Sequence, residues 1–282
     1  MTCAGVELGG TKCVAILARG PDDVLARETI PTTGPQETLE RIEQALAGWH
    51  FDALGIASFG PIELDAASPN WGHLLATPKP GWAGADVASR LRDAFGVPTA
   101  LDTDVNGAAL AEMRWGAGRG LDDFAYVTVG TGVGVGLIAN GRPMRGFGHC
   151  ELGHVRVPRP PGDDWPGSCP YHGDCVEGLV SGSALKARFG GGEIPAEDPA
   201  WDSVSSTLAQ LCHVIICAAA PRRIAFGGGV IQQNPQLLAV IQTKLEESLG
   251  GFRELPAGEY VCSPELGADA GPLGAIALAM DA

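Results

Sequence analysis

The apolar positions in the first thirty residues fall into short runs separated by glycine and polar turns: Ala4-Gly-Val-Glu-Leu8, Cys13-Val-Ala-Ile-Leu17 and Val24-Leu-Ala-Arg-Glu-Thr-Ile30. Runs of this length with tight turns predict three consecutive strands. Thr33-Gly-Pro35 then opens a segment from Gln36 to Trp49 in which Leu39, Ile42, Ala45 and Leu46 recur at helical spacing. Ala53-Leu-Gly-Ile-Ala-Ser58 is a continuous apolar run, as expected of a strand covered on both faces. Residues 59–83 have no period and are rich in Gly, Pro and Trp, 86–95 reads as a helix, and Val97 to Leu101 reads as another strand. The pattern is a βββαβαβ lobe with one long loop, and a loop of that length in a compact domain is usually a binding element.

From residue 104 the pattern starts again. Asn106 to Trp115 reads as a helix, Phe124 to Val129 and Val133 to Ile138 as a hairpin, Ser203 to Ala219 as a long apolar helix, and Arg223 to Phe226 as a strand running into Gly227-Gly-Gly229. Gly271 to Met280 is a final helix with Pro272 in its first turn. The expectation is an α/β protein of two similar lobes with Gly-rich turns flanking a nucleotide cleft. The first lobe is placed at residues 1–103, the second at 104–270, and the last helix at 271–282.

Composition narrows the class. Net charge is −14, from 19 Lys+Arg against 33 Asp+Glu, and no basic run interrupts it, which argues against a nucleic-acid partner. Eight cysteines, with Cys3, Cys13 and Cys150 isolated from the rest, fit a reducing compartment rather than a disulfide framework. The first residues lack the features of a signal peptide, and no apolar run approaches the roughly 18 residues that span a bilayer. The expectation is a cytoplasmic protein with no membrane partner.

The densest chemistry lies between 151 and 177, where Glu151-Leu-Gly-His154 precedes Cys169-Pro-Tyr-His172-Gly-Asp-Cys175-Val-Glu177. Three-residue steps from Cys169 to His172 to Cys175 let one tight loop supply three ligands of a closed structural Zn²⁺ site, and His154 completes the tetrahedron. The intervening Pro-rich segment is expected to order itself through the metal and little else. A closed site leaves the ion no open position, so its expected job is scaffolding.

Glycine clusters occur at Gly9-Gly10-Thr11-Lys12, between two strands, at Gly130-Thr131-Gly132 in the second lobe, and at Gly227 to Gly229. Glycine lets the backbone approach an anion, and Thr11 and Lys12 add a hydroxyl and a cation. In Asp102-Thr-Asp104-Val-Asn106 a strand end meets a helix start. On pattern alone Asp104 or Asp102 is either a helix cap or a general base. Trp71 and Trp82 in the long loop either stack on a ligand or anchor the loop. Cys212 and Cys217 are read as small core residues, and His50, His73, His149 and His213 as surface or satisfied core groups.

In this order, Gly9-Gly-Thr-Lys12, Asp104-Val-Asn106, Glu151-Leu-Gly-His154 and the Cys/His cluster ending at Glu177 resemble the ROK family of sugar kinases over essentially the whole chain. Ser58-Phe-Gly-Pro61, Thr77-Pro-Lys-Pro-Gly-Trp82 and Asp102-Thr-Asp-Val-Asn106 are closer to its fructokinase branch. Its glucokinases carry Glu-Asn-Asp and a Cys-x-Cys-Gly loop, so Thr103 and His172 count against glucose. Position 7 is Glu where much of the family has Asp.

The resemblance implies two actin-like, ribonuclease-H-like α/β domains around a central cleft, with a zinc-binding loop and the last helix packed back on the first lobe. It implies ATP and Mg²⁺ as well as Zn²⁺, fructose as the sugar, and a homodimer. Asp104 is then the catalytic base. Gly9, Gly10, Thr11, Lys12, Gly130, Thr131 and Gly132 line the phosphates, and Gly227, Gly228 and Gly229 flank the adenosine. Glu151, His154 and Glu177 join Asp104 in holding the sugar, with His154 also a ligand of the metal. Mannose or another hexose is the alternative substrate. A non-catalytic sugar sensor is the other reading, disfavoured because the repressors of the family carry a DNA-binding extension before the first glycine cluster.

Overall fold

In the computed structural model, residues 1–191, 194–195 and 197–282 are described. They divide into two compact units, one of Met1–Gly120, Pro143–His149 and Ala268–Ala282, the other of Leu121–Arg142 and Cys150–Gly267.

The first unit is built on strands β1 (Cys3–Leu8), β2 (Lys12–Gly20), β3 (Asp23–Pro31), β4 (Ala53–Ser58) and β5 (Thr99–Thr103), in the order β3-β2-β1-β4-β5. The first three strands pair antiparallel, whereas β4 and β5 join in parallel after crossovers through α1 (Pro35–Ala47) and α2 (Ser89–Phe95). Pro35 sits in the first turn of α1, where its missing N–H costs nothing, and Leu39, Ile42 and Leu46 form the buried stripe. They pack with Val6, Leu8, Leu54 and Ile56 on one sheet face. The other face is covered by α9 (Ala270–Met280), with α3 (Asp104–Trp115) packed along it. Strand β4 is therefore buried at every position.

The sequence reading opens the second lobe at Asp104, but residues 104–120 belong to the first unit, because α3 lies against α9 and β4. The long loop after β4 is held by its own side chains. Trp82 is fully buried in it, donates from its indole N–H to the Thr33 carbonyl at 2.8 Å and meets Phe59 edge-on, while Arg92 lies over Trp71. Both tryptophans anchor the loop.

The second unit repeats the strand plan. Strands β6 (Phe124–Val129), β7 (Val133–Ala139), β8 (Arg142–Pro143), β9 (Ile224–Gly227) and β10 (Val261–Cys262) run in the order β10-β9-β6-β7-β8. Its helices are α4 (Val176–Val180), α5 (Gly182–Phe189), α6 (Ala200–Ala219), α7 (Gly229–Gln233) and α8 (Leu237–Leu249). Among the described residues α6 is the one helix long and apolar enough, by composition, to cross a membrane, which corrects the expectation that no such run exists. Half of that stretch is buried, and the helix packs on α8 and α4. Cys212 is a core residue of α6, whereas Cys217 is exposed, one helical face away from the stripe that ends at Ile215 and Ile216.

Among the glycines of the first unit the closest approach is at Gly55, where a Cβ would lie 1.9 Å from the Ala275 carbonyl oxygen and 2.6 Å from the Ala279 nitrogen. Only a residue without a side chain lets α9 rest on β4. Gly55→Ala is expected to destabilise the fold by about 3 kcal/mol, as overpacking against unyielding backbone does, and urea unfolding monitored by circular dichroism measures it.

Candidate functional site

In the first unit the turn Gly9–Lys12 joins β1 to β2. The Gly9 N–H donates to the Lys12 carbonyl at 3.1 Å, and the Thr32 hydroxyl donates to the Gly9 carbonyl at 2.8 Å while the Thr32 N–H reaches the Thr11 carbonyl at 3.0 Å. Gly10, Thr11 and Lys12 are left exposed, and the Lys79 ammonium of the long loop donates to the Gly10 carbonyl. Beneath this turn Glu7 is turned toward the start of α9, where a Cβ at residue 271 would lie 2.0 Å from its Oε1. Gly271 thus makes room for the longer acid. Burial raises the Glu7 carboxyl above its usual range, against the downward pull of Lys12 and Arg27.

Asp104 is the first residue of α3. The cap is neither Asp104 nor Asp102 but Thr103, whose Oγ1 accepts from the Asn106 N–H at 3.2 Å. Asp104 Oδ1 accepts the Val105 N–H at 2.9 Å, in the helix's positive first turn, which favours an ionised carboxylate. Asp102 is 1% exposed; its Oδ1 accepts from the Thr103 N–H at 2.7 Å and from Asn106 Nδ2 at 2.8 Å, and its Oδ2 pairs with Arg145.

In the second unit the matching turn, Gly130–Gly132, joins β6 to β7 and is held from several sides. Its Gly130 N–H donates to the Gly132 carbonyl at 2.9 Å, and its Gly130 carbonyl accepts the Gly182 N–H at the start of α5 at 2.7 Å. Gly228, at φ 87° before α7, lies against the backbone of Val129, so the clusters at 130–132 and 227–229 meet at the ends of the parallel strands β6 and β9. Glu177, in the first turn of α4, accepts the Val133 N–H on Oε2 at 3.0 Å. Glu151 precedes the single turn Leu152–His154, and the motif's Gly153 is required there because a Cβ would sit 2.0 Å from the Val133 carbonyl oxygen.

His154, Cys169, His172 and Cys175 bring one ligand atom each within 4.8 Å of one another. His154 Nδ1 lies 3.7 Å from Cys169 Sγ and 3.6 Å from Cys175 Sγ, and His172 Nδ1 lies 3.6 Å from Cys169 Sγ. Zn–S bonds of about 2.3 Å and Zn–N bonds of about 2.05 Å put tetrahedral neighbours about 3.6 Å apart, so the four side chains fit a zinc ion. With Nδ1 facing the cluster, His154 Nε2 is left toward Glu177 Oε1, 3.9 Å away. Without an ion, burial, with Cys169 alongside, pushes the Cys175 thiol up to about 11, and a metal would displace that proton.

The Pro-rich segment has a second means of ordering that the sequence did not disclose. Asp163 accepts from Arg159 at 2.8 Å and from Arg188 of α5 at 3.0 Å, and Arg188 also lies over Trp165. Burial raises the Asp163 carboxyl, but the two guanidiniums outweigh it and leave it below the usual range. His149 is a satisfied group, as expected of it: its Nε2 accepts the Ile62 N–H at 3.1 Å. His213 bonds Ser248 between α6 and α8, a structural tie.

Two sheets of one strand order, each with a glycine turn between its first two strands, define an α/β protein of the actin-like, ribonuclease-H-like class. The chain belongs to the ROK family, whose sequence profile matches residues 3–282. It is 42% identical over 288 residues to the fructokinase of Zymomonas mobilis, covering 98% of this chain and 96% of the relative. It is 39% identical over 285 residues to the fructokinase of Pediococcus pentosaceus, covering 100% and 99%. Among solved structures it is similar to a ROK family glucokinase from Streptomyces griseus in complex with glucose and AMPPNP, with TM-score 0.79, 26% identity and full coverage of both chains.

Two outcomes follow. The folded state holds the Glu7 proton more tightly than the unfolded chain, so this site loses stability as pH rises from the ordinary value of 4.5 through the raised one. Glu7→Gln is expected to raise the melting temperature at pH 8, with the gain vanishing near pH 4, in melts across that range. Metal analysis of the purified protein is expected to give about one zinc per chain, and Cys175→Ser or a strong chelator to remove it and lower the melting temperature by several degrees.

Proposed function

We propose that this chain is an ATP-dependent fructokinase that transfers the γ-phosphoryl group of ATP to the 6-hydroxyl of D-fructose. The observation carrying this reading is the near-full-length relationship, at 39% and 42% identity, to proteins named fructokinase. Asp104, ionised in the first turn of α3, takes the proton of the sugar hydroxyl as that oxygen bonds to the γ-phosphorus; the bond to the β-phosphate oxygen breaks and ADP leaves. Gly9, Gly10, Thr11 and Lys12 of one turn and Gly130, Thr131 and Gly132 of the other line the phosphates of the Mg²⁺–ATP substrate; the Gly9 and Gly130 N–H groups close their own turns, so the contacts come from the other residues of each turn, the Thr11 hydroxyl and the Lys12 cation among them. Gly227, Gly228 and Gly229 adjoin the second turn and flank the adenosine.

Glu151, His154 and Glu177 hold sugar hydroxyls. His154 serves both metal and sugar because its nitrogens face different ways, Nδ1 to the cysteine sulfurs and Nε2 away from them. Bound zinc supplies a rigid anchor for His154 and for Cys175, which caps the helix that carries Glu177. Preorganised groups are most of what a phosphoryl-transfer enzyme contributes.

The test is ADP release with Mg²⁺–ATP against fructose, mannose, glucose and N-acetylmannosamine. Fructose is expected to give the highest kcat/KM. A higher value on mannose or another hexose reassigns the substrate, and no turnover on any sugar by folded protein overturns the kinase reading. Asp104→Asn is expected to lower kcat by about a thousandfold or more, the loss of base catalysis, with fructose binding nearly unchanged by calorimetry.

A further inference from the structure

Residues 143–149 belong to the first unit although the chain on both sides belongs to the second. The segment is a tight turn, with Arg145 bridged to His149 and the Gly146 N–H donating to the Gly148 carbonyl at 3.0 Å. His149 and Arg145 help to fasten it: His149 accepts the Ile62 N–H, and Arg145 pairs with the buried Asp102. Asp102 is two residues before Asp104, and its other oxygen accepts from Thr103 N and Asn106 Nδ2. A carboxylate 1% exposed needs a compensating charge, and a guanidinium supplies one in a fixed geometry.

We propose that Arg145 is a positioning residue of the transfer reaction. By holding Oδ2 of Asp102 it fixes that carboxylate so that Oδ1 grips Thr103 and Asn106, which sets the first turn of α3 and with it the aim of the Asp104 carboxylate. Arg145 touches no reacting atom in this account. Nothing in the sequence marks it, since it lies outside every motif of the chain and 43 residues from its partner. Without it the buried carboxylate loses the group that holds its Oδ2 and pulls away from the helix start, loosening the bonds from Thr103 N and Asn106 Nδ2. The inference rests on Asp104 being the base.

The experiment is steady-state kinetics with fructose and ATP on Arg145→Met, Arg145→Lys, the double variant Asp102→Asn with Arg145→Met, and Asp102→Asn alone, each with a thermal melt. Arg145→Met is expected to lower kcat about 10- to 100-fold, the scale of a small misplacement of a reacting group, with KM for fructose moving much less. Lysine, a point charge without the fork, is expected to recover part of that loss. An amide at 102 accepts the same two bonds without a counter-charge, so the double variant should turn over as fast as Asp102→Asn alone, the non-additivity of a coupled pair. Wild-type kcat in Arg145→Met overturns the proposal. So does a double variant as slow as Arg145→Met, which would mean that the guanidinium acts on substrate, and so does a loss confined to KM. If Arg145→Met fails to fold, Arg145→Lys and the double variant decide the same question. Failure of the base assignment is read separately, as wild-type turnover in Asp104→Asn.

Discussion

Glu177 is where the demands of the second unit converge. One carboxylate oxygen accepts the N–H of Val133, the residue that ends the glycine turn, while the other faces His154, and the helix that presents it begins at Cys175 of the metal cluster. This hydrogen bond joins the β6–β7 hairpin to the start of α4, just after a loop tied by the bridge of Cys169 to Gly173 and a few backbone bonds. The position of the turn, the orientation of the imidazole and the start of α4 are therefore set together. Val133 contributes twice, since its carbonyl packs against Gly153 of the Glu-Leu-Gly-His motif.

Much of this was legible in the sequence because it is local. The strands of the first hairpins, α1 with its Leu39, Ile42, Leu46 stripe, and the four metal ligands are all written in spacings of a few residues. The short helices α4, α5 and α7 were missed because each is too short to show a period, and their positions are fixed by capping at Cys175 and Ser181 and by the turn at Gly228. Helix α8 was missed despite its length, as the stretch around Leu237 to Leu249 follows an irregular segment without a capping residue.

The rest of the site was illegible for a different reason. Whether Asp104 or Asp102 capped α3 was undecidable from residue types, because Thr103 between them is an equally good cap and takes the role. The environment of Glu7 depends on Gly271, and the seat of His149 on the Ile62 amide, contacts spanning most of the chain or a whole lobe. Asp163 likewise looked like one acid in a Pro-rich loop until Arg159 and Arg188 were seen around it. Long-range pairs of ordinary residues leave no spacing to read.

The last stretch of chain, Ala268–Ala282, is part of the unit that the first residues begin. Helix α9 covers most of the glycine-lined face of β1 and β4, so that face is not fully covered until residues 270–280 have been made. A ribosome adds about 5–20 residues per second, and domains ordinarily fold in the order in which they emerge. Here the order is reversed: the second unit, contained within residues 121–267, can close while the first is still waiting for its final helix. The unit that holds β1 is completed after the unit that follows it along the chain.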